Sequence, residues 1–208
     1  MASEDRSAGS EGAGKPRVRD RIFETACDLF YQHGIREVGV DQIANRAGTN
    51  KMSFYRSFAS KDELVAEYLE RKAAEFWRWW DETTATAEEP RRQIVALFNS
   101  IAKRVCGASS RGCALANASV EIASENHPAR QVVVTKKREM RRRFQQLAAR
   151  AGASRPEELG DALTLLMEGT YLSRLTLSSQ GPLRHVGSIV ERLLETYLDA
   201  PIGRAVRP

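Results

Sequence analysis

Nothing in the chain comes near the ~18 consecutive apolar residues that a membrane-spanning helix needs, and its start lacks the apolar core of a secretion signal. These two absences lead to an expectation of a cytoplasmic protein that makes no use of a membrane. Cysteine is scarce: Cys27, Cys106 and Cys113 are too few and too oddly spaced for a disulfide scaffold, and no His stands at zinc-ligand spacing from a Cys pair. No metal is therefore expected. His33, His127 and His185 sit in no catalytic motif and no glycine-rich loop cradles a phosphate, so neither catalytic residues nor a cofactor are expected. A helical enzyme is the alternative that these gaps argue against, and a turnover assay separates the two. Nowhere does the period-two alternation of a strand appear, nor any internal repeat, and the fold class is read as all-α.

What the chain does have is enough apolar residue for a core, 42% of 208 positions, and a formal charge of +5. A positive balance permits nucleic-acid binding without establishing it, and its distribution says more. Residues 15–61 hold nine Lys or Arg against five Asp or Glu, a net of +4, while residues 62–208 hold 22 against 19, a net of +3. The charge is denser in the smaller N-terminal part.

The most informative stretch is residues 38–58. Ile43, Ala44 and Ala47 recur at helical spacing up to Gly48, which takes the backbone of a helix terminus without strain. Thr49 and Asn50 turn the chain, and Asn50 is suited to cap a second short helix through the donors left open at its start. Four residues separate Phe54 from Phe58, so both point inward, while Lys51, Met52, Ser53 and Arg56 face outward. A short helix anchored by two aromatics and carrying cations and small polar groups on its free side has the form that a DNA major groove admits.

Val40, Ile43, Ala44, Ala47 and Gly48, followed by Phe54, Tyr55, Arg56 and Phe58 and then by Ser60, Lys61, Glu63 and Leu64, closely resemble the DNA-binding domain of TetR-family transcriptional regulators. An ordinary helical hairpin inside an enzyme is the competing account of the same residues. Two positions depart from the family pattern. Gly39 replaces the usual Ser or Thr cap, leaving Gln42 to reach back as half of a capping box, and Thr49 replaces an apolar residue. The resemblance implies an N-terminal three-helix helix-turn-helix domain plus a larger helical C-terminal domain for ligand binding and dimerisation. The boundaries read as a disordered tail over 1–14, the helix-turn-helix domain over 15–61, the effector-binding and dimerisation domain over 62–200, and a tail over 201–208. The DNA-facing set is Gln42, Thr49, Asn50, Lys51, Met52, Ser53, Tyr55, Arg56 and Lys61, with phosphate contact by Tyr55 and Lys61 implied by the family. Tyr55 packing on the first helix is the alternative.

The rest of the chain reads as helices. The first spans about 17–33, with Ile22, Phe23, Ala26, Leu29 and Phe30 as its buried stripe and Cys27 beside it. Lys15, Arg17, Arg19 and Arg21 make either an arm on DNA backbone or a solvated helix start. Ser60 to Glu63 spells a full capping box opening a fourth helix, which runs into Phe76, Trp77, Trp79 and Trp80; three Trp within four residues cannot all face one core. Ile94, Leu97, Phe98, Ile101 and Val105 stripe the next helix, a loop covers 109–112, and residues 113–124 carry Leu115, Ala116, Val120 and Ile122. Lys136 to Arg143 is a basic run, read as a solvated face rather than a second DNA contact. Pro156 opens a helix with Leu159, Ala162, Leu163, Leu166, Met167 and Leu175 turned inward or to a partner, and Gly169 within it marks a close backbone approach. The last helix, 183–198, has two apolar faces, one for the core and one for another subunit.

One helix-turn-helix buries too little surface for tight selective binding, so a homodimer reading two half-sites of double-stranded DNA is expected. The resemblance adds that the last two helices form the dimer interface, and that a small-molecule effector entering the C-terminal domain shifts the fourth helix and releases a repressor from its operator. Residues 111–130, with Gly112, Cys113, Asn117, Glu121, His127 and Pro128, are similar to a run in a subset of the family. The expected pocket residues are Trp77, Trp80, Phe98, Ile101, Asn117, Glu121, Met167 and Tyr171. Cys106 and Cys113 flank a loop, and read either as sensors of oxidants or electrophiles or as inert buried thiols. An architectural DNA-binding protein without an effector is the remaining alternative.

Overall fold

The computed structural model describes residues 16–107, 111–177 and 181–198. The two tails, Lys15 and Ser109 therefore lie outside the described residues. Within them every regular element is helical: α1 Val18–His33, α2 Val40–Arg46, α3 Lys51–Ser57, α4 Lys61–Thr84, α5 Pro90–Val105, α6 Ala114–Glu121, α7 Pro128–Arg150, α8 Pro156–Leu177 and α9 Val186–Leu198.

Local chemistry sets most of the boundaries. At the end of α2 Thr49 N–H bonds the Ala44 carbonyl at 3.0 Å and Gly48 N–H that of Asn45 at 3.1 Å. This double closure requires the left-handed φ of +66° that Gly48 adopts. Asn50 accepts from Ser53 N–H at 2.9 Å and Ser60 from Glu63 N–H at 3.0 Å, each such cap contributing about 1 kcal/mol. Two capping details differ from expectation. Glu63 returns its carboxylate to Ala59 N–H, at 2.7 Å, one residue before the cap. Gln42 stays exposed and makes no bond back to Gly39, whose lack of a side chain leaves nothing to lock the reciprocal geometry.

Two apolar cores form. The first joins α1, α2 and α3 to the front half of α4, to α6 and to the start of α7; the second joins the back half of α4 to α5, the rest of α7, α8 and α9. Thus α4 belongs to both, with Leu64, Val65, Tyr68, Leu69 and Ala73 in one and Trp80 in the other. Contrary to expectation, all three tryptophans pack on the second core, Trp80 buried within it and Trp77 and Trp79 half-buried against it. Trp80 stacks edge-on to Phe144 at 4.7 Å, Trp79 donates to Ser100 at 2.8 Å, and Trp77 lies under the Arg143 guanidinium at 4.2 Å.

Much of the basic run on α7 is tied to carboxylates on neighbouring helices. Lys136 pairs with Glu70 on α4 at 2.9 Å, Lys137 with Glu168 on α8, Arg141 with Asp161 on α8 at 2.5 Å, and Arg143 with Asp81 on α4 at 2.8 Å. The exposed Arg141–Asp161 pair contributes at most about 1 kcal/mol, and all four pairs fix which helix faces which.

Helical phase corrects several side-chain expectations. Val120 is 87% exposed, since it lies about 200° around α6 from buried Ala118. Leu175 is exposed, which leaves its expected partner-facing position open. The expected last helix begins as a 3-10 turn over Pro182–His185 before α9 proper. Gly169 meets no other part of the chain within 4 Å; the close approach is at Gly160, where an added Cβ would stand 2.7 Å from the backbone of Gln145 on α7.

Candidate nucleic-acid interface and effector cavity

The outer face of α3 is built from below. Phe54 and Phe58, 5.8 Å apart between ring centres, are buried against Ile22, Ile43 and Leu64. The helix is thereby held with Lys51, Met52, Tyr55 and Arg56 exposed, Met52 at 65% and Tyr55 at 52%. Ser53 and Thr49 are half-buried, and Asn50 is exposed but spends its side-chain oxygen on the cap. Arg56 folds back on Met52, 3.6 Å from Nη2 to Sδ, and Lys51 reaches Asp41 at 3.1 Å. Both contacts are exposed and break at little cost when phosphate or a base edge replaces them. Lys61 stands in the first turn of α4, where burial lowers its pKa against the raising pull of Asp62 and Glu121. Arg19 and Arg21 turn onto the protein: Arg19 pairs with Glu67 at 2.6 Å and lies over the Phe58 ring, while Arg21 donates to the Ala47 carbonyl at 3.3 Å. Of the described cations before the first helix turn, Arg17 stays exposed.

A cavity of about 260 Å³ opens at the seam between the two cores. Ala73, Phe76 and Trp77 of α4 line it, with Val105 of α5, Gly112 to Leu115, Lys136, Lys137 and Met140 of α7, and Tyr171 of α8. Tyr31 reaches it from α1. Of the eight residues expected there, Trp77 and Tyr171 line it. Phe98, Ile101 and Met167 are wholly buried in the second core instead, and Trp80 is buried there beside a separate surface pocket, because inward helical phase does not distinguish a hollow from a filled interior.

Asn117 and Glu121 serve a different contact. Glu121 accepts from Arg36 N–H at 2.9 Å and lies against Gly34, whose φ of +91° turns the chain out of α1. Asn117 donates to the Arg111 carbonyl at 2.9 Å, and the Arg111 guanidinium reaches the Gln32 carbonyl. Tyr31 closes the set by accepting from Arg111 N–H at 3.0 Å and donating to the Gly112 carbonyl at 3.3 Å. One segment, 111–121, thus clasps the end of α1 on one side and walls the cavity on the other. His127 caps α7, accepting from Ala129 N–H at 3.1 Å, and meets Asp62 of α4 at 3.2 Å. Tyr31, Lys137 and Met140 were missed as cavity residues; only their distance in sequence hid them.

The cysteines separate by environment. Cys106 is exposed, Cys113 half-buried and Cys27 buried, with its thiol pushed up to about 12 by burial. Iodoacetamide at pH 8 is accordingly expected to label Cys106 and to spare Cys27 while the protein is folded, as peptide mass spectrometry would read; early labelling of Cys27 contradicts the packing of α1.

A short helix exposed over an aromatic base at one end of an all-α body is the geometry of a helix-turn-helix DNA-binding domain. Residues 22–68 match the family described as bacterial regulatory proteins, tetR family. The HTH-type transcriptional regulator LmrA of Bacillus subtilis is 23% identical over 85% of this chain and 96% of its own. An HTH-type transcriptional repressor of Streptomyces coelicolor is 44% identical over 26% of this chain and 29% of its own. The crystal structure of a TetR-family transcriptional regulator from the same organism superposes with a TM-score of 0.82 at 25% identity, over 87% of this chain and 96% of that one. Residues 22–68 are thus a tetR-family DNA-binding domain, and the chain as a whole resembles TetR-family transcriptional regulators in fold.

Proposed function

We propose that this regulator is a homodimeric repressor that a small molecule, bound in the seam cavity, releases from a palindromic operator. It acts in the cytoplasm and is not an enzyme. In this reading residues 15–61 contact DNA and residues 62–200 bind effector and dimerise. Lys51, Met52, Ser53 and Arg56 face the major groove, with Gln42, Thr49 and Asn50 at its edge and Tyr55 and Lys61 on phosphates. The dimer forms through α8 and α9, where Leu165, Leu172 and Ile189 stay exposed and Gly169 leaves room for a second backbone.

The observation that carries the effector part is that the cavity lies between the two cores and is walled by Tyr31, a residue of the DNA-binding part. A molecule that fills the cavity pushes on the segment whose other side holds the end of α1. It shifts the equilibrium only by its preference for the released form, typically ~1 to 3 kcal/mol.

Selection of bound duplexes from a random pool at fixed salt tests the DNA part. An enriched palindrome is expected, and Arg56→Ala is expected to weaken it by about 1–3 kcal/mol, or roughly five- to 150-fold. Binding without enrichment points to an architectural protein, and unchanged preference in the Arg56 variant refutes the assigned face. The clasp is tested separately. Glu121→Ala should speed hydrogen exchange at the Arg36 amide and lower stability by about 1 kcal/mol; an Arg36 amide indifferent to the change would remove Glu121 from the coupling.

A further inference from the structure

We infer that the cavity selects a compact aromatic carboxylate, its ring against Phe76 and Trp77 and its carboxylate at Tyr171 and Lys137. The inference rests on reading the cavity as the effector site and names the chemistry that site would take. At about 260 Å³ the space lies at the small end of ligand pockets, suited to one or two rings. Phe76 and Trp77 form an edge-to-face pair at 5.0 Å, a wall that accepts a flat apolar body.

The polar end of the cavity has donors to spare. Lys137 carries three N–H bonds; one goes to Glu168 and one to the weakly accepting sulfur of Cys113 at 3.4 Å, and the third has no acceptor among the described residues. Burial works against the Lys137 charge, but Cys113 and Glu168 outweigh it and hold the ammonium above its ordinary pKa. Tyr171 lines the same space, and its hydroxyl makes no hydrogen bond among the described residues. Burial raises its pKa, so the phenol keeps its proton and offers it. Two unspent donors on residues that line the cavity favour an acceptor on the ligand.

Charge decides which acceptor. Lys72, Arg104, Lys136 and Lys137 line the cavity against one carboxylate, Glu75. Lys136 and Lys137 are matched from behind by Glu70 and Glu168, and Lys72 by Glu75, but Arg104 meets no carboxylate among the described residues and lies over Trp79. The surplus is positive, which favours an anion over a neutral carbonyl. A cationic ligand is disfavoured by that surplus, and Lys72, itself in the cavity wall, already lies over the Tyr31 ring.

The test compares three isosteric probes, 2-naphthoate, 2-naphthamide and 2-naphthylmethylammonium, titrated calorimetrically into the full chain at pH 7.5. Naphthoate is expected to bind at least tenfold more tightly than the amide, and the ammonium not to bind. Lys137→Met strands the Glu168 carboxylate, so the lead variant is Tyr171→Phe, which removes one oxygen; it should cut the preference for naphthoate over the amide severalfold. Equal affinity for acid and amide, preference for the ammonium, no binding of any probe, or a preference untouched by Tyr171→Phe each overturns the inference. The same probes are added to the protein on its selected duplex. Naphthoate that binds in a Tyr171-dependent way without releasing DNA would sink the ligand-release reading and leave the ligand class standing.

Discussion

Replacing Phe54 by Ala should unfold the DNA-binding end before it affects anything else, at a cost of about 3–5 kcal/mol. The ring is wholly buried, edge-on to Tyr55 at 5.3 Å and tilted against Phe58 at 5.8 Å, and Phe58 in turn stacks on Phe23 at 6.4 Å. A helix as short as α3 has little stability of its own and is held by what it packs against. Removing its central anchor leaves a cavity among Ile22, Ile43 and Leu64, which α2 and α3 fill only by losing their relative angle. Urea unfolding at fixed protein concentration measures the loss, and duplex binding reports the reading face. Phe54→Leu, which keeps most of the volume, should retain more of both. Full stability in Phe54→Ala would mean that α3 is held by its caps rather than by its aromatics.

The second large effect is expected at a glycine. Ala in place of Gly160 gains about 1 kcal/mol in helix propensity, yet the variant should be less stable. A Cβ there would stand 2.4 Å from Gln145 Cγ and 2.7 Å from its Cα and N, and the latter two are backbone atoms of α7 that cannot turn aside. Opening the α7–α8 contact strains the second core as overpacking does, by about 1–3 kcal/mol. It also pulls at the pairs between Arg141 and Asp161 and between Lys137 and Glu168. Gly169→Ala on the same helix is the control, because nothing of this chain lies within 4 Å. If α8 forms the dimer interface, that substitution weakens dimerisation, read by sedimentation; if it does not, the propensity gain appears as a higher melting temperature. Gly160→Ala raising stability would show that α8 can slide along α7.

These two sites also mark how far the sequence reaches. The helix-turn-helix was legible because its determinants are neighbours in the chain. Asn50 caps at three residues' distance, Gly48 closes a turn over its preceding five, and Phe54 and Phe58 share a face by period alone. Charge was less legible. Six cations of α7 read as a basic surface, and whether each meets water, phosphate or a carboxylate depends on helices that come from elsewhere in the chain.

By itself, then, the sequence determined an all-α protein with a helix-turn-helix DNA-binding domain at its N-terminal end, since caps, breaks and helical periods are written within a few residues of one another. Tertiary structure alone decided where that end meets the rest. Apolar phase directs Phe98, Ile101 and Met167 inward, but only packing made their region solid and left the hollow beside Tyr31, Trp77, Lys137 and Tyr171. Likewise Glu121 became a clasp on the α1 turn because α6 crosses there, bringing residues 85 apart in sequence to 2.9 Å. Contacts at that separation depend on how helices with many acceptable partners settle against one another, and no local pattern encodes that choice.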